Sequence, residues 1–365
     1  MELSKYCKYT TSRIDPASLN VDNYISTENM MQNKGGVTAA SKVPTEKAVE
    51  YKPGDILISN IRPYFKKIWL ADRSGGCSSD VLCIRALKGT DSIYLYYLLS
   101  QDSFFDYVMS GAKGSKMPRG DKSQIMKWDV DLPGIDEQRR IGQMLKNIDD
   151  KIAINNRINH NLEEQADCLI SSAIETQSIG SGHLWDICSY VTERVNCDTL
   201  NKENYISTDN MFANRGGVGI ASTIPGGKCT SFKAQDVLVS NIRPYFKKIW
   251  RASFSGGCSN DVLCFRTTTG TSSFLYHLLR SDVFFEYVMS GAKGSKMPRG
   301  DKQHILSWVI PVFEKEIIAS LEDSLEVIDD RVAIIQEENR RLSAIRDSLL
   351  PILMNNGIIF NDLTC

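Results

Sequence analysis

The chain contains the same sequence twice, and this internal repeat is its most constraining feature. Residues 59–69 recur unchanged as residues 240–250, and residues 107–122 recur unchanged as residues 287–302. Residues 22–27 have a near copy at 203–208, so the order of the blocks is also preserved. Because the two copies span nearly all 365 residues, we expect two similar halves, each with its own hydrophobic core.

Each copy begins with about 130 residues that mix two kinds of secondary-structure signal. Short apolar runs at 55–58 and 81–84 are separated by Gly, Pro and Ser, which is typical of strands and turns. Residues 93–109 are rich in Leu and aromatic residues and favour a helix. The first part of each copy is therefore predicted to be an α+β globular domain.

The second part of each copy has the apolar spacing of a heptad repeat. Polar Asn155, Asn159 and Asn339 fall on the seam, where such residues commonly fix register. Two helices pairing antiparallel as a coiled coil would make the halves equivalent about a pseudo-twofold axis; the alternative is a pair of amphipathic helices, each packed on its own domain. The apolar seam positions are Ile141, Leu145, Ile148, Ile152, Leu162, Ala166 and Leu169 in the first copy, and Leu321, Leu325, Ile328, Val332, Ile335, Leu342 and Leu349 in the second.

The charge of the chain follows the same division into four segments. The net charge is only −1, but residues 1–135 and 176–311 are basic, at +3 and +5, whereas 136–175 and 312–365 are acidic, at −3 and −6. We therefore predict a basic globular domain at 1–135, an acidic spacer helix at 136–175, a second basic domain at 176–311, and an acidic C-terminal helix and tail at 312–365. Positive charge concentrated in the globular domains is typical of contact with nucleic acid.

The cysteines and the hydropathy indicate a reduced, intracellular environment. Ten cysteines are scattered without dense pairing, and no stretch approaches the roughly 18 apolar residues that a membrane span needs. We expect a cytoplasmic protein. Cys77 with Cys83, and Cys258 with Cys264, raise the alternative of a metal site, but their spacing is not that of a zinc finger and buried structural thiols are favoured.

Cations interleaved with aromatic residues mark the first candidate contact with nucleic acid. Arg62, Lys66 and Lys67 alternate with Tyr64, Phe65 and Trp69. Such a set suits phosphate contact and base-edge readout. The competing interpretation is a strand whose aromatic rings enter the core while its lysines are solvated.

The glycine-rich loop at 111–122 is the second candidate. Its glycines allow close backbone approach to phosphate, and its four cations between 113 and 122 supply charge. A structural turn is one alternative; a nucleotide-binding loop is another, although the spacing is not that of a Walker motif. The predicted DNA-binding residues are Arg62, Tyr64, Lys66, Lys67, Lys113, Ser115, Lys116, Arg119 and Lys122, with Arg243, Tyr245, Lys247, Lys248, Lys293, Ser295, Lys296, Arg299 and Lys302 in the second copy.

Catalytic signatures do not appear in the sequence. It contains no Asn-Pro-Pro-aromatic or Asp-Pro-Pro-aromatic tetrapeptide and no glycine-rich cofactor turn after a strand. The nearest approach to a metal-binding carboxylate cluster is Glu314-Lys315-Glu316, at the expected start of a helix, where acidic residues are favoured anyway. We predict no catalytic residues and no metal site.

The sequence resembles the specificity subunits of type I restriction-modification systems. The resemblance rests on residues 52–59, on Cys83-Ile84-Arg85, and on Leu132-Pro133 followed by Asp136-Glu137-Gln138 and the seam from Ile141 to Ile152. It implies two target-recognition domains joined by an antiparallel helix pair. It also implies double-stranded DNA, two adenine-methylating methyltransferase subunits and, in full restriction, two translocating restriction subunits as partners. S-adenosylmethionine, ATP and Mg would bind those partners and not this chain.

The second copy departs from that pattern at two places. Counted from Pro133 and Pro311, Glu314-Lys315-Glu316 stands where the first copy has Asp136-Glu137-Gln138, so contacts of the first helix are not expected to be duplicated there. Gln235 replaces Gly54. Since neither change touches the basic segments, two such similar domains predict an interrupted palindrome as the DNA target.

Three competing functions remain open at the level of sequence. The chain could read DNA for a stand-alone methyltransferase or another phage-defence complex. It could be a coiled-coil scaffold whose duplicated domains bind protein or glycan. A self-sufficient enzyme is the third and has no motif in its favour.

Overall fold

The computed structural model describes residues 1–355 and divides the chain into two compact units. The first comprises Met1–Ile154 with the chain from Glu338 onward, and the second comprises Asn155–Glu337. Each unit contains one copy of the globular domain and about half of each of two long helices. The predicted α+β fold class with a duplicated domain is confirmed.

Two four-stranded sheets form the first domain. The main sheet has the order β1-β8-β5-β6 and is antiparallel, while the smaller sheet has the order β2-β4-β7-β3 with β3 parallel to β7. The runs predicted at 55–58 and 81–84 lie in β5 and β8. The strands are β1 (Cys7–Tyr9), β2 (Arg13–Ile14), β3 (Tyr24–Ile25), β4 (Ala48–Tyr51), β5 (Ile56–Ser59), β6 (Ile68–Leu70), β7 (Gly75–Cys77) and β8 (Val81–Ala86).

The side chains of β5 alternate between two parts of the core, as the pleat of a strand requires. Ile56 and Ile58 pack with the helices that follow the sheet. Leu57 packs on the opposite face, with Tyr51 and Cys77 of the smaller sheet. The main sheet is thus the middle layer of the domain.

Helices α1 (Ser92–Leu99), α2 (Asp102–Ser110) and α3 (Lys122–Ile125) complete the first domain, and α4 (Ile135–Gln177) leaves it. The single helix expected at 93–109 is therefore wrong in one respect, because it is two helices. The break falls at Ser100 and Gln101, because the extended ψ of 148° at Gln101 ends the first helix, and Ser281 has the same extended ψ, 151°, in the second domain.

The second unit repeats this arrangement, with sheets β10-β17-β14-β15 and β11-β13-β16-β12, and adds a two-stranded antiparallel sheet in which β18 pairs with the distant β9. Its last helix, α8, runs from Lys315 to Asn355. The other elements are β9 (Gly180–His183), β10 (Cys188–Tyr190), β11 (Arg194–Asn196), β12 (Tyr205–Ile206), β13 (Lys228–Phe232), β14 (Val237–Ser240), β15 (Ile249–Arg251), β16 (Gly256–Cys258), β17 (Val262–Thr267), α5 (Ser272–Leu279), α6 (Asp282–Ser290), α7 (Lys302–Leu306) and β18 (Val309–Val312).

The long helices pair antiparallel, as the first unit shows. Near the start of α4, Ile141 and Leu145 share a cluster with Leu350 and Leu353 at the end of α8. Further along α4, Asp149 accepts from Arg346 at 2.8 Å, and Lys151 lies 3.4 Å from Glu338. Residue numbers rise along one helix as they fall along the other. The same clusters include domain residues, so each helix segment packs on its partner helix and on its domain.

The second unit corrects one seam position. Leu169 is 39% exposed, whereas Ile170 is only 7% exposed and lies in the core with Ala166 and Ala173. The two positions compete because a helix of 3.6 residues per turn drifts against a strict heptad. Asn155 and Asn159 are buried, as seam residues should be.

The starts of the two helices correct the expected correspondence between the copies. Helix α4 begins at Ile135 and α8 at Lys315, and Trp128 and Trp308 precede them by the same distance. Asp136 therefore matches Glu316. Glu314 lies just before α8 and has no counterpart in the acidic start of α4.

The paired cysteines are structural. Cys77, Cys83, Cys258 and Cys264 are buried free thiols, and a hydrogen bond from the Cys77 thiol to Cys83, together with burial, raises the pKa of Cys77. Among residues 1–355 no group of three His, Cys, Asp or Glu side chains is placed to hold a metal ion. In the same range, no helix has both the length and the apolarity to cross a membrane.

Candidate nucleic-acid interface

The two basic segments singled out in the sequence lie next to each other in each domain. After β5 the chain turns at Arg62, forms one short 3-10 turn at Pro63–Phe65, and turns again at Lys66. The Arg62 amide donates to the Pro118 carbonyl at 2.8 Å, and Ile61 forms a bridge with Arg119. Main-chain hydrogen bonds therefore join the cation-aromatic segment to the glycine-rich loop.

The glycine-rich loop closes on itself as a small hairpin. Lys113 and Arg119 exchange main-chain hydrogen bonds of 2.9 and 3.0 Å, and Gly114 takes the positive φ of +98° that this tight turn requires. Gly120 lies so close to the strand end that an added Cβ would come within 2.9 Å of the Asn60 amide oxygen. The loop is thus held at both ends, with Ser115, Lys116 and Met117 exposed at its tip.

Three of the predicted cations of the first domain are held in ion pairs. Lys66 is paired with Asp102 at 2.9 Å, Lys113 with Asp121 at 3.1 Å, and Arg119 with Asp80 at 3.1 Å. These bonds orient the side chains but leave them at the surface. The hydrogen bond from Lys66 holds the pKa of Asp102 below its ordinary value.

Lys67 is a structural residue and not a surface cation. Its ammonium group donates to the Thr27 carbonyl at 2.6 Å, and partial burial lowers its pKa. Lys116 is the opposite case, since it is exposed and the described residues provide no ion-pair partner for it. Lys122 begins α3, where its carbonyl accepts from the Tyr9 hydroxyl at 3.1 Å, and its side chain is exposed.

The aromatic residues of the segment separate into two groups. Tyr64 is 46% exposed. Trp69 packs against Tyr51 of the smaller sheet at a ring distance of 5.7 Å. Both interpretations of the sequence therefore hold for part of the set: the tryptophan belongs to the core, and the tyrosine is available to a ligand.

The second domain reproduces this geometry almost bond for bond. Arg243 and Lys247 have the same left-handed φ of 50° as Arg62 and Lys66. Lys247 pairs with Asp282 at 2.8 Å, Lys293 with Asp301 at 2.7 Å and Arg299 with Asp261 at 3.1 Å. Lys248 donates to the Thr208 carbonyl at 2.6 Å. Lys302 lies 5.6 Å from the Tyr190 ring centre, while Tyr245, Ser295 and Lys296 are exposed like their counterparts.

Comparison with known proteins connects this arrangement with a family. Residues 4–164 match the family model described as the type I restriction modification DNA specificity domain. The type I restriction enzyme EcoDI specificity subunit of Escherichia coli is 27% identical over 106 residues, which are 29% of this chain and 22% of that protein. The match to this curated relative therefore spans about a fifth of its length.

A solved structure has the same fold over the full length. The type I restriction-modification system S subunit from M. genitalium superposes with a TM-score of 0.59 at 15% identity, over 97% of this chain and 95% of that one. Residues 4–164 are therefore similar to that DNA specificity domain, and the chain has the fold of the M. genitalium S subunit.

Each domain also has a third surface element that the sequence analysis missed. The loop between β3 and β4 makes a tight turn at 31–36, where Asn33 and Lys34 donate main-chain hydrogen bonds of 2.9 Å to the carbonyls of Phe65 and Lys66. The Lys34 side chain also lies 3.3 Å from Asp102. A usable signal was present, because Asn-Lys-Gly-Gly-Val at 33–37 returns as Asn-Arg-Gly-Gly-Val at 214–218.

Unpaired polar atoms recur beside the 3-10 turn in both domains. Among the described residues, the Nε atoms of Arg62 and Arg243 and the amide oxygens of Asn60 and Asn241 are buried without hydrogen-bond partners. Left-handed φ at the two arginines adds backbone strain at the same place. Unpaired groups and strain are costly, so they are expected where a ligand or bound water completes the site.

Proposed function

We propose that this chain is the non-catalytic DNA-reading subunit of a type I restriction-modification complex. The observation that carries the proposal is the basic surface formed in both domains by the identical 3-10 turn and glycine-rich hairpin, beside a tight turn with the same backbone geometry. Exposed lysines there can neutralise phosphates, and exposed Tyr64 and Tyr245 can pack on sugars or bases.

The functional domains that we propose are 1–135 and 176–311 as target-recognition domains, with 136–175 and 312–365 as spacers. Residues 356–365 of the last segment lie outside the described residues. Of the predicted contacts, Lys67 and Lys248 support the fold, and the other cations together with Ser115 and Ser295 are proposed to face DNA. The helix pair is proposed to set the gap between two half-sites.

Chemistry is assigned to other subunits. Two methyltransferase subunits would bind S-adenosylmethionine and methylate adenine, and two restriction subunits would supply ATP- and Mg-dependent translocation and cleavage. The complex would act in the cytoplasm, where the DNA of the cell lies. Because both domains carry the same surface, we propose a bipartite target whose half-sites are mirrored on opposite strands.

Salt dependence of duplex binding tests DNA reading against the scaffold alternative. We expect the affinity of the full chain, purified with the methyltransferases encoded beside it, to fall steeply as salt rises. A complex that neutralises six to ten phosphates loses about 10³- to 10⁵-fold in affinity between 50 and 200 mM salt. A flat salt response, or equal binding to an uncharged glycan, would favour the scaffold. If the neighbouring genes encode a methyltransferase but no motor-nuclease subunit, a stand-alone methylation complex would be favoured.

A further inference from the structure

The tight turn at 31–36 is held rigidly beside the shared basic surface. Besides the two bonds to Phe65 and Lys66, the Met31 amide donates to the Gly36 carbonyl at 2.9 Å and the Gly35 amide donates to the Gln32 carbonyl at 3.1 Å. Asn33 and Lys34 have left-handed φ values of 54° and 63°. We call residues 31–36, and their counterparts 212–217, the variable turn.

The second domain holds its variable turn in the same frame. Asn214 and Arg215 donate to Phe246 and Lys247 at 2.8 and 2.9 Å, and Phe212 donates to Gly217 at 2.9 Å. The φ values of Asn214 and Arg215 are 53° and 61°. Arg215 also takes the place of Lys34 in pairing with a carboxylate, here Asp282. The backbone and the anchoring cation are therefore equivalent.

The outward side chains of the variable turn differ between the domains. Met31 and Gln32 in the first correspond to Phe212 and Ala213 in the second. Met31 is 48% exposed and Phe212 52%, and Gln32 and Ala213 are both exposed. Since the neighbouring blocks 59–69 and 107–122 are identical in the two domains, this turn is where surfaces of the same geometry present different chemistry.

The position of the Phe212 ring accounts for a third sequence difference between the two domains, at Gly219. A Cβ added to Gly219 would lie 2.8 Å from the tip of the Phe212 ring, which is closer than carbon atoms approach. The first domain has Thr38 at that position, beside the slimmer Met31. Residues 31, 32 and 38 therefore form one exchangeable set, matched by 212, 213 and 219.

We propose that the variable turn determines the base at which the two half-sites cease to mirror each other. A glutamine side chain can bond adenine at N6 and N7 together, whereas an alanine methyl can only contact the methyl group of thymine. Gln32 therefore selects adenine in the half-site of the first domain, and Ala213 with Phe212 selects an apolar thymine edge in the other. This assignment rests on the proposed function.

Reciprocal exchange of the set tests the assignment. The full chain, in complex with the methyltransferases encoded beside it, is used to select duplexes from a randomised library. Met31→Phe/Gln32→Ala/Thr38→Gly should convert the first half-site to the second, giving a perfect palindrome. Phe212→Met/Ala213→Gln/Gly219→Thr should give the other palindrome. Discrimination at the affected base should change by roughly 5- to 150-fold, the effect of one bidentate contact.

Lys8→Ser is the matched control, because it also gives the first domain the residue of the second, here Ser189, at an exposed position in β1 outside the variable turn and the basic segments. It should leave the selected sequence unchanged. The assignment of a base to the variable turn would be overturned if the wild type selected identical half-sites, or if the exchange altered no selected base. Either result would leave the proposed DNA reading intact. Selection of no bipartite sequence by the wild type would instead overturn the proposed function on which the assignment depends.

Discussion

The two domains are alike on the basic surface and different where they meet the long helices. In the first, the Tyr97 hydroxyl donates to Asp149 at 2.6 Å, and Arg346 of α8 donates to the same carboxylate. In the second, the matching pair is His277 and Asp329 at 2.9 Å, joined by Arg251 of β15 at 3.2 Å.

Further along this contact the difference is larger. Ser100 of the first domain is replaced by Arg280, which is 4% exposed and pairs with Glu163 and Asp167 of α4 at 3.0 Å each. The start of α5 donates two amides to Glu322 of α8, at 2.8 and 2.7 Å, whereas Gln138 of α4 accepts from the Asp91 amide just before α1.

The two copies of the domain contact different helix sequences. The first packs on the start of α4 and the end of α8, and the second packs on the end of α4 and the start of α8. Their contacts to the helices must therefore differ. The proposed ligand, duplex DNA, would offer the same backbone to both copies, so the basic surface could stay the same. On this account the shared surface answers to one ligand, and the unshared surface answers to the helices that each domain contacts.

The strongest test of this comparison removes the hairpin cations from one domain at a time. Lys113→Ala/Lys116→Ala/Arg119→Ala should lower duplex affinity about 100-fold and reduce the salt slope by nearly 3, since each phosphate contact contributes about 0.9. Lys293→Ala/Lys296→Ala/Arg299→Ala should have the same effect. Lys5→Ala/Lys127→Ala, exposed lysines next to each other away from the hairpin, is the charge control. A loss confined to one domain would contradict the equivalence.

Arg280→Ala should distinguish the helix contacts by stability. It leaves Glu163 and Asp167 without their buried partner and should lower the free energy of unfolding of the second unit by about 2 kcal/mol. Ser100→Ala at the matching site loses one local hydrogen bond and should cost no more than about 1 kcal/mol. Calorimetric unfolding measures both, and equal small effects would show that the helix contacts are not specialised.

Gln235→Gly should stabilise the second unit. Gln235 has a φ of +75° where the first domain has Gly54 at +87°, and a left-handed φ costs a side chain about 1–2 kcal/mol. After the entropy cost of glycine, a gain of about 1 kcal/mol is expected. Gly54→Gln is the reverse control and should lose a similar amount; a loss in both variants would refute the strain.

The smallest expected effect concerns acid stability. Hydrogen bonds from Lys66 and from Lys247 lower the pKa values of Asp102 and Asp282, respectively. A carboxyl group whose pKa in the folded protein lies below the unfolded value of about 3.9 stabilises the fold above that pH. This stabilisation is lost as the pH falls through the folded-state pKa. The stability gap between wild type and Asp102→Asn should therefore close below about pH 4. Asp282→Asn should behave alike, and a gap that widens in acid would be the contrary result.

The duplicated domain and the two long helices could be predicted, because the repeat and the heptad spacing of apolar residues can be read directly from the sequence. Leu169 was misplaced at the seam because both it and Ile170 are apolar, and only packing chooses between them. At the site, the repeat marked Arg62 and Lys116, but not that Lys67 is bonded to the Thr27 carbonyl, since that contact joins segments 40 residues apart. The repeat of residues 33–37 at 214–218 was visible in the sequence, but not that main-chain bonds to Phe65 and Lys66 place the variable turn beside the basic surface.

The methylation map of a cell expressing the chain with its neighbouring methyltransferase genes tests the central claim most directly. Two equivalent reading surfaces predict methylated adenines in two half-sites of mirrored sequence on opposite strands, separated by a constant gap and departing from the mirror only beside the variable turn. Half-sites of unrelated sequence, or a single uninterrupted site, would contradict it.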